Sequence, residues 1–167
     1  MTTLVHIWTL TSGNVGHVSI TVRNEYISFW PSEAAGKKDF KIGQTHEPRF
    51  PASYKVDKKL ERKECDFEII LNKMDEDLMI KIWKEFKANP QKYNMVKQNC
   101  STVAAWILEA GSGVSPGGSK GVSIDEWVKN PFQKLFFKIR FLGNQINMWT
   151  PNDVHRFVLQ IISAKGN

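Results

Sequence analysis

Apolar and polar residues alternate along the first thirty positions of the chain. Every second residue from Val18 to Val22 is β-branched and apolar, and His17 belongs to the opposite, more polar register. A period of two predicts a half-buried strand with the histidine on its polar face. The apolar run 26–30 follows after three residues, so the two runs are predicted to form a hairpin. Residues 4–10 and 66–71 show similar patterns and predict two further strands.

Apolar residues at helical spacing characterise the second half of the chain. Residues 75–87 have an acidic beginning, a basic end and one apolar stripe, which predicts an amphipathic helix. Residues 100–111 predict a second helix with Asn99 as N-cap and Gly111 as C-cap. Pro151, a favoured first helical residue, predicts the start of a terminal helix.

The order of these patterns indicates one α+β domain. Strands come mostly before helices, and residues 31–63 lack regular periodicity, so we interpret them as a long connection with an irregular strand, able to form a flap over a groove. With 41% hydrophobic and 11% aromatic residues, a chain of 167 residues can bury a substantial core without disulfides or metals. We therefore expect residues 1–167 to fold as a single domain.

Charge and segment composition limit the classes of function. The net charge of +6 divides evenly between residues 1–100 and 101–167, without the basic stripe of a dedicated nucleic-acid binder. No segment has the pattern of a signal peptide or a transmembrane helix. We expect a soluble, cytoplasmic chain, with export by another route left open.

Cys100 lies at the predicted start of a helix, a position that favours a reactive thiol. A thiol in the first turn of a helix lies at the positive end of the helix dipole, which lowers its pKa and favours the thiolate. The N–H groups of that turn, including that of Cys100, could hold an oxyanion. The alternative interpretation is a small buried residue that packs the start of the helix.

His17 is the candidate base for this thiol. If Asn24 and Glu25 form the two-residue hairpin loop, Ser32 lies opposite His17 and becomes the candidate for orienting its ring, with Ser28 as the alternative. Either serine can equally be an ordinary strand residue.

These two elements together resemble the circularly permuted papain-like fold. The resemblance rests on a histidine in an early strand followed by Tyr93-Asn-x-x-x-x-Asn-Cys-Ser101 at the start of a helix, so that His17 precedes Cys100. The group includes permuted thiol peptidases and isopeptidases, related cell-wall amidases and lecithin:retinol acyltransferase-like enzymes. The resemblance implies an antiparallel sheet packed against helices and a His17–Cys100 dyad. Several permuted members carry a second polar group, often a histidine, on the next strand, where this chain has only Ser28, Trp30 and Ser32.

From these observations we expect a cysteine hydrolase that cleaves an amide, isopeptide or related acyl bond through a thioester, with no cofactor. Two alternatives stay open: a lipid-acting acyltransferase or phospholipase with the same dyad, and a non-catalytic binding module. The expected partner is a peptide, isopeptide or acyl substrate, and the oligomeric state stays open.

Three groups of residues outside the dyad are candidates for other roles. Residues 131–142 combine aromatic and basic side chains and could contact a membrane peripherally, although we favour a helix whose aromatic face packs on the core. Cys65 lies in an alternating strand pattern and is predicted to be structural. The remaining histidines lack metal-ligand spacing, so no metal site is predicted; they are His6, His46 and His155, the last near Asp153.

Overall fold

The structure is a computed structural model that describes residues 2–11, 14–32 and 44–166. Its strands are β1 (Thr3–Trp8), β2 (His17–Val22), β3 (Glu25–Ser28), β4 (Trp30–Pro31), β5 (Thr45–His46), β6 (Pro48–Arg49), β7 (Phe67–Leu71), β8 (Tyr93–Asn94), β9 (Val122–Ser123) and β10 (Gln145–Ile146). Its helices are α1 (Tyr54–Glu61), α2 (Glu76–Ala88), α3 (Cys100–Ser112), α4 (Ile124–Trp127), α5 (Pro131–Arg140) and α6 (Pro151–Lys165).

A four-stranded antiparallel sheet forms the centre of the fold, with strand order β3-β2-β1-β7. Helices α2, α3 and α6 pack against it, and α3 contacts both of the other helices. The α+β class, with an antiparallel sheet against helices, is therefore confirmed. Strand β2 is buried on both faces rather than one, because α1 covers the face that carries His17 and Ser19.

The hairpin between β2 and β3 has a different register from the predicted one. Val22 pairs with Glu25, so the two-residue loop is Arg23-Asn24 and not Asn24-Glu25. Arg23 adopts a left-handed conformation with φ of 52°, and its guanidinium donates to Glu76 at the start of α2 with an Nε–Oε2 distance of 2.8 Å. This ion pair offers a physical reason for the register, since it ties the turn to the helix.

Helices α2, α3 and α6 occupy the positions that the apolar pattern predicts, within one or two residues. One helix end differs: the C-cap of α3 is Gly113, with φ of 69°, and not Gly111. Gly111 lies inside the helix, where a Cβ would come within 2.4 Å of the Met79 sulfur. This glycine therefore permits the close approach of α2 and α3.

Helix α1 lies in the segment interpreted as an irregular connection, so that interpretation is wrong for Tyr54–Glu61. The helix has few apolar residues, and its buried side chains are Asp57 and Glu61. A helix that buries acidic groups shows no apolar stripe, which explains why periodicity missed it. Residues 33–43 of the same segment lie outside the described residues.

Helix α5 also departs from the expectation. Its stripe of large apolar side chains was expected to pack on the core, but the structure exposes it: Phe132 by 83%, Leu135 by 60%, Phe136 by 58% and Ile139 by 67%. The core contacts of this region come instead from Phe137 and Phe141.

Across residues 2–11, 14–32 and 44–166, no helix is both long and apolar enough to cross a membrane.

Candidate active site

Cys100 is the first residue of α3, and the preceding residue fixes the start of that helix. Asn99 Oδ1 accepts a hydrogen bond from the Thr102 backbone N–H at 2.9 Å, which is the predicted N-cap. Its amide nitrogen donates to the carbonyls of Met95 at 2.7 Å and Trp149 at 2.8 Å. One side chain thus joins three segments at the helix start, so the position of the thiol is well defined.

The structure brings His17 and Cys100 together. Their side chains are in hydrogen-bond contact, although 83 positions separate them in the sequence. The backbone N–H of Val18 also donates to the sulfur. Both side chains are buried, with 1% of His17 and 7% of Cys100 exposed. The start of β2 and the start of α3 therefore meet at one buried point.

Asp57 completes this arrangement from α1, and sequence reasoning missed it. Its Oδ2 lies 3.1 Å from His17 Nε2, and its side chain is completely buried. Because Nε2 faces the carboxylate, the other ring nitrogen is left for the thiol. The result is a chain of contacts from Asp57 through His17 to Cys100.

Three donors hold the Asp57 carboxylate. The hydroxyls of Tyr26 and Ser28 each donate to Oδ2 at 2.7 Å, and the Trp30 indole N–H donates to Oδ1 at 2.8 Å. A buried carboxylate with this many donors is favoured in its charged form. The only sequence signal for this residue was an i, i+4 pair of acids, Asp57 and Glu61, in a helix otherwise rich in lysine.

Ser32 is not the group that orients the imidazole. It lies exposed in a turn after β4, where its backbone N–H donates to the Glu47 carbonyl at 2.8 Å. The hairpin register explains the error, because the two-residue loop lies one position earlier than predicted. Ser28, the alternative candidate, does contact the ring, with an Oγ–Nε2 distance of 3.1 Å.

The electrostatics favour an ion pair between His17 and Cys100. Burial alone lowers the pKa of His17, but the negative charges of Asp57 and Cys100 outweigh burial and raise the pKa to about 10. Burial raises the pKa of the Cys100 thiol, but the His17 charge and hydrogen bond outweigh burial and lower it below 9.0. Burial likewise raises the pKa of Asp57. The charge of His17 and the hydrogen bonds that Asp57 accepts from His17, Tyr26 and Ser28 outweigh burial and bring this pKa below its ordinary value. Neutral pH therefore favours imidazolium and carboxylate, and the lowered pKa of Cys100 shifts its thiol towards the thiolate.

Aromatic rings enclose the histidine. The Trp30 ring centroid lies 4.4 Å from that of His17, and the Trp8 centroid lies 5.6 Å away on β1. Tyr93 lies against Cys100, where its phenol contacts both the thiol and the backbone N–H. Burial and the charge of Cys100 raise the pKa of Tyr93 well above its usual value, so the phenol keeps its proton. These rings exclude water and strengthen the electrostatic interactions inside the site.

A small groove opens beside the thiol. Its lining includes Val15, Gly16, Met95, Met148 and Trp149. Gly16 has a φ of 68°, and a Cβ there would lie 2.2 Å from the Trp8 carbonyl oxygen. The glycine thus allows the close backbone approach that its position before His17 suggested, and it lets the chain bend into β2 next to the groove.

One comparison with known proteins found a similarity. A family model described as the IcsB middle domain matches residues 44–115, a segment that contains Asp57 and Cys100 but not His17. No curated protein and no solved structure matched the chain. The match covers less than half of the chain, so the similarity extends over that segment alone.

Proposed function

We propose that this protein is a cysteine-dependent hydrolase of an amide, isopeptide or related acyl bond. The observation that carries the proposal is the buried chain of contacts from Asp57 through His17 to Cys100. Nucleophile, base and orienting group in hydrogen-bond reach of one another are the general signature of covalent acyl transfer. The chain order His17, Asp57, Cys100 and the helix-borne cysteine support a permuted papain-like arrangement.

In the proposed reaction, the Cys100 thiolate attacks the substrate carbonyl carbon and forms a tetrahedral intermediate. The negative oxygen is stabilised at the start of α3 by backbone N–H groups and by the Tyr93 phenol, which stays protonated. The His17 imidazolium gives its proton to the leaving group as the carbon–leaving-group bond breaks, leaving a thioester on Cys100. Neutral His17 then takes a proton from water, whose oxygen attacks the thioester and releases the acid. Asp57 stabilises the imidazolium throughout.

An activated acyl ester such as p-nitrophenyl acetate tests this proposal. We expect a burst of one nitrophenolate per protein molecule and an acetyl adduct on Cys100 that hydroxylamine removes. His17→Ala should slow the burst by on the order of 10²–10⁴-fold. Cys65→Ser, which removes the other thiol, is the matched control and should react as wild type does. An adduct on Cys65 alone, or a burst unchanged in Cys100→Ser, would contradict the proposal.

The contact between Cys100 and His17 weighs against a non-catalytic binding module. A module that only binds has no need to keep a buried thiolate–imidazolium pair, since two desolvated charges are costly to maintain. The same contact leaves open which acceptor takes the acyl group.

A second candidate function is favoured by the exposed surface of α5. We propose as the alternative that the acyl donor is a membrane lipid and that the acceptor is an amine or alcohol. Five large apolar side chains form one stripe along α5 and just beyond it, all at least 58% exposed: Phe132, Leu135, Phe136, Ile139 and Leu142. Such a stripe on a helix surface is typical of a docking face.

Charge complementarity makes an anionic lipid surface the occupant that fits this stripe best. Segment 129–142 contains four basic residues and no acidic one. Lys134 and Lys138 border the stripe, and both donate to Asp125 of α4, the first to its carbonyl and the second to its carboxylate. Apolar insertion combined with basic flanks is the arrangement of helices that lie in the interface plane of a membrane.

Co-sedimentation with vesicles separates the two candidates. On the lipid alternative, wild type should pellet with vesicles of phosphatidylcholine containing phosphatidylserine and release lysophospholipid in a Cys100-dependent manner. Leu135→Ser with Ile139→Ser should abolish pelleting. The matched control is Leu159→Ser, which changes a comparably exposed leucine on α6 and should not affect it. Pelleting that persists in the double variant, or no lysophospholipid release from bound wild type, would remove the lipid alternative and leave the hydrolase proposal intact.

A further inference from the structure

We propose that His6, Cys65 and Glu68 form a binding site for a divalent metal ion of the zinc class. One nitrogen, one sulfur and one carboxylate oxygen from these side chains all lie within 4.8 Å of one another. The ligands belong to β1, to β7 and to the segment just before β7, and they do not include the three residues of the candidate active site.

The register of the sheet places His6 and Glu68 side by side. His6 of β1 pairs directly with Glu68 of β7, so their side chains share one face of the sheet. His6 Nδ1 lies 3.2 Å from Glu68 Oε2. Cys65 comes two residues before β7 and reaches the same point, with its thiol reduced and half-buried. The ligands thus come from separate segments that only the folded sheet brings together, which is why sequence spacing predicted no metal site.

His6 is presented in the manner of a metal ligand. Its Nε2 lies 3.0 Å from Thr21 Oγ1, which can hold the ring orientation and place the proton on that nitrogen. Its Nδ1 is buried and makes no hydrogen bond of good geometry with the described residues, although Glu68 Oε2 lies 3.2 Å away. Leaving such a nitrogen without a good partner is unfavourable, because on folding it has lost its hydrogen bonds to water. A metal ion bound to Nδ1 would remove this cost.

The position of the thiol is also fixed. Tyr54 Oη lies 3.4 Å from Cys65 Sγ and accepts a hydrogen bond from the Cys65 backbone N–H at 3.1 Å. The Tyr54 ring packs on His6, with centroids 4.7 Å apart. Tyr54 belongs to α1, the helix that carries Asp57, so a metal here would link that helix to the sheet.

The ligand types select the class of ion. A mixed nitrogen, sulfur and oxygen set suits zinc, which binds tetrahedrally at about 2.0–2.3 Å, whereas magnesium and calcium prefer oxygen ligands alone. Donors of a tetrahedral ion are about 3.5 Å apart, so small side-chain rotations suffice. Glu68 is more than half exposed at its side chain, which leaves a fourth position open to water.

Titration with Zn²⁺ and with Co²⁺ tests the site. We expect one ion per chain, a cobalt–thiolate absorption band in the near ultraviolet, and a rise in Tm. Cys65→Ser should abolish the thiolate band and weaken binding at least about tenfold. Glu68→Gln, at an exposed position that does not endanger folding, should also weaken binding. Cys100→Ala and His155→Gln are the matched controls for thiol and imidazole and should bind as wild type does.

Three results would overturn the metal site. The first is no binding to folded wild type, and the second is binding that Cys65→Ser and Glu68→Gln leave unchanged. The third is a thiolate band that disappears in Cys100→Ala, which would place the ion at the candidate active site. Because the readouts are stoichiometry and absorption, failure of the hydrolase proposal leaves this test unaffected.

Discussion

The charges of His17, Asp57 and Cys100 depend on one another. Each is buried, and burial alone disfavours a charged form of any of them. Together they carry one positive and two negative charges within a short chain of contacts, and the mutual attraction outweighs the cost of burial for all three pKa values. The three groups therefore titrate as a unit rather than independently.

Replacing Asp57 by Asn tests this coupling at the residue scale. The pKa of His17 is about 10 because Asp57 and Cys100 are negative, so imidazolium should be lost from wild type near pH 10. In Asp57→Asn we expect the alkaline limit of the Cys100 acylation rate to move down by about 1–3 pH units. Ser28→Ala removes a neutral partner of the same ring nitrogen and should move the limit much less. Equal limits in both variants and wild type would contradict the assignment of Asp57.

At the scale of elements, the site depends on the start of one strand and the start of one helix. Gly16 bends the chain against the carbonyl of Trp8 immediately before β2, and Asn99 fixes the first turn of α3. These two points set the distance between His17 and Cys100. A displacement of either would separate the pair without altering the side chains themselves.

Gly16→Ala should displace β2 locally. Its Cβ would clash with backbone atoms of Trp8 and Thr9 in addition to the unfavourable positive φ. We expect a loss of about 1–3 kcal/mol in the free energy of unfolding and a slower reaction of Cys100. Gly118→Ala is the matched control, since Gly118 has a φ of 82° with no atom within 4 Å of an added Cβ. Gly118→Ala should lose no more unfolding free energy than the positive φ alone accounts for, and Cys100 should keep its wild-type reactivity. Wild-type stability and reactivity in Gly16→Ala would contradict this account.

The elements that could be predicted are those with local signals. Apolar periodicity and capping residues located β2, α2, α3 and α6, and the Asn99 cap was identified from its residue type. The role of Asp57 could not be predicted, because it arises from partners on other elements and because its helix has no apolar stripe. The hairpin register could not be predicted from local sequence, because the observed turn is accompanied by two ion pairs between Arg23 and residues distant in the chain. Burial of β2 on both faces likewise depends on α1.

At the scale of the whole molecule, the ion pair affects how stability depends on pH. The raised pKa of His17 gives stability that is complete below pH 6.5 and is lost as pH rises through about 10. The lowered pKa of Cys100 gives the opposite trend, since its stability grows as pH rises towards 9.0. Where His17 is an imidazolium and Cys100 a thiolate, the folded chain binds as many protons at this pair as the unfolded chain does. The two trends therefore largely cancel in wild type.

Cys100→Ala should reveal the pH dependence that His17 alone gives to the free energy of unfolding. Without the thiol, His17 still has Asp57 beside it, so we expect its pKa to stay above 6.5 and the folded variant to hold an extra proton relative to the unfolded chain. We expect the free energy of unfolding to fall by up to about 1.4 kcal/mol per pH unit between pH 7 and 9, relative to wild type. Denaturant unfolding at several pH values measures this, with Cys65→Ala as the matched control that should follow wild type. Parallel pH dependences in wild type and Cys100→Ala would show that no pair exists.

The pH dependence of iodoacetamide alkylation at Cys100 tests the central claim, the thiolate–imidazolium pair, most directly. Peptide mass spectrometry can follow Cys100 separately from Cys65. For wild type we predict a rate that is already high well below pH 9.0, the ordinary pKa of the thiol, and that collapses in His17→Ala at the same pH. Failure of wild-type Cys100 to react, or an equally fast reaction in His17→Ala, would contradict the account.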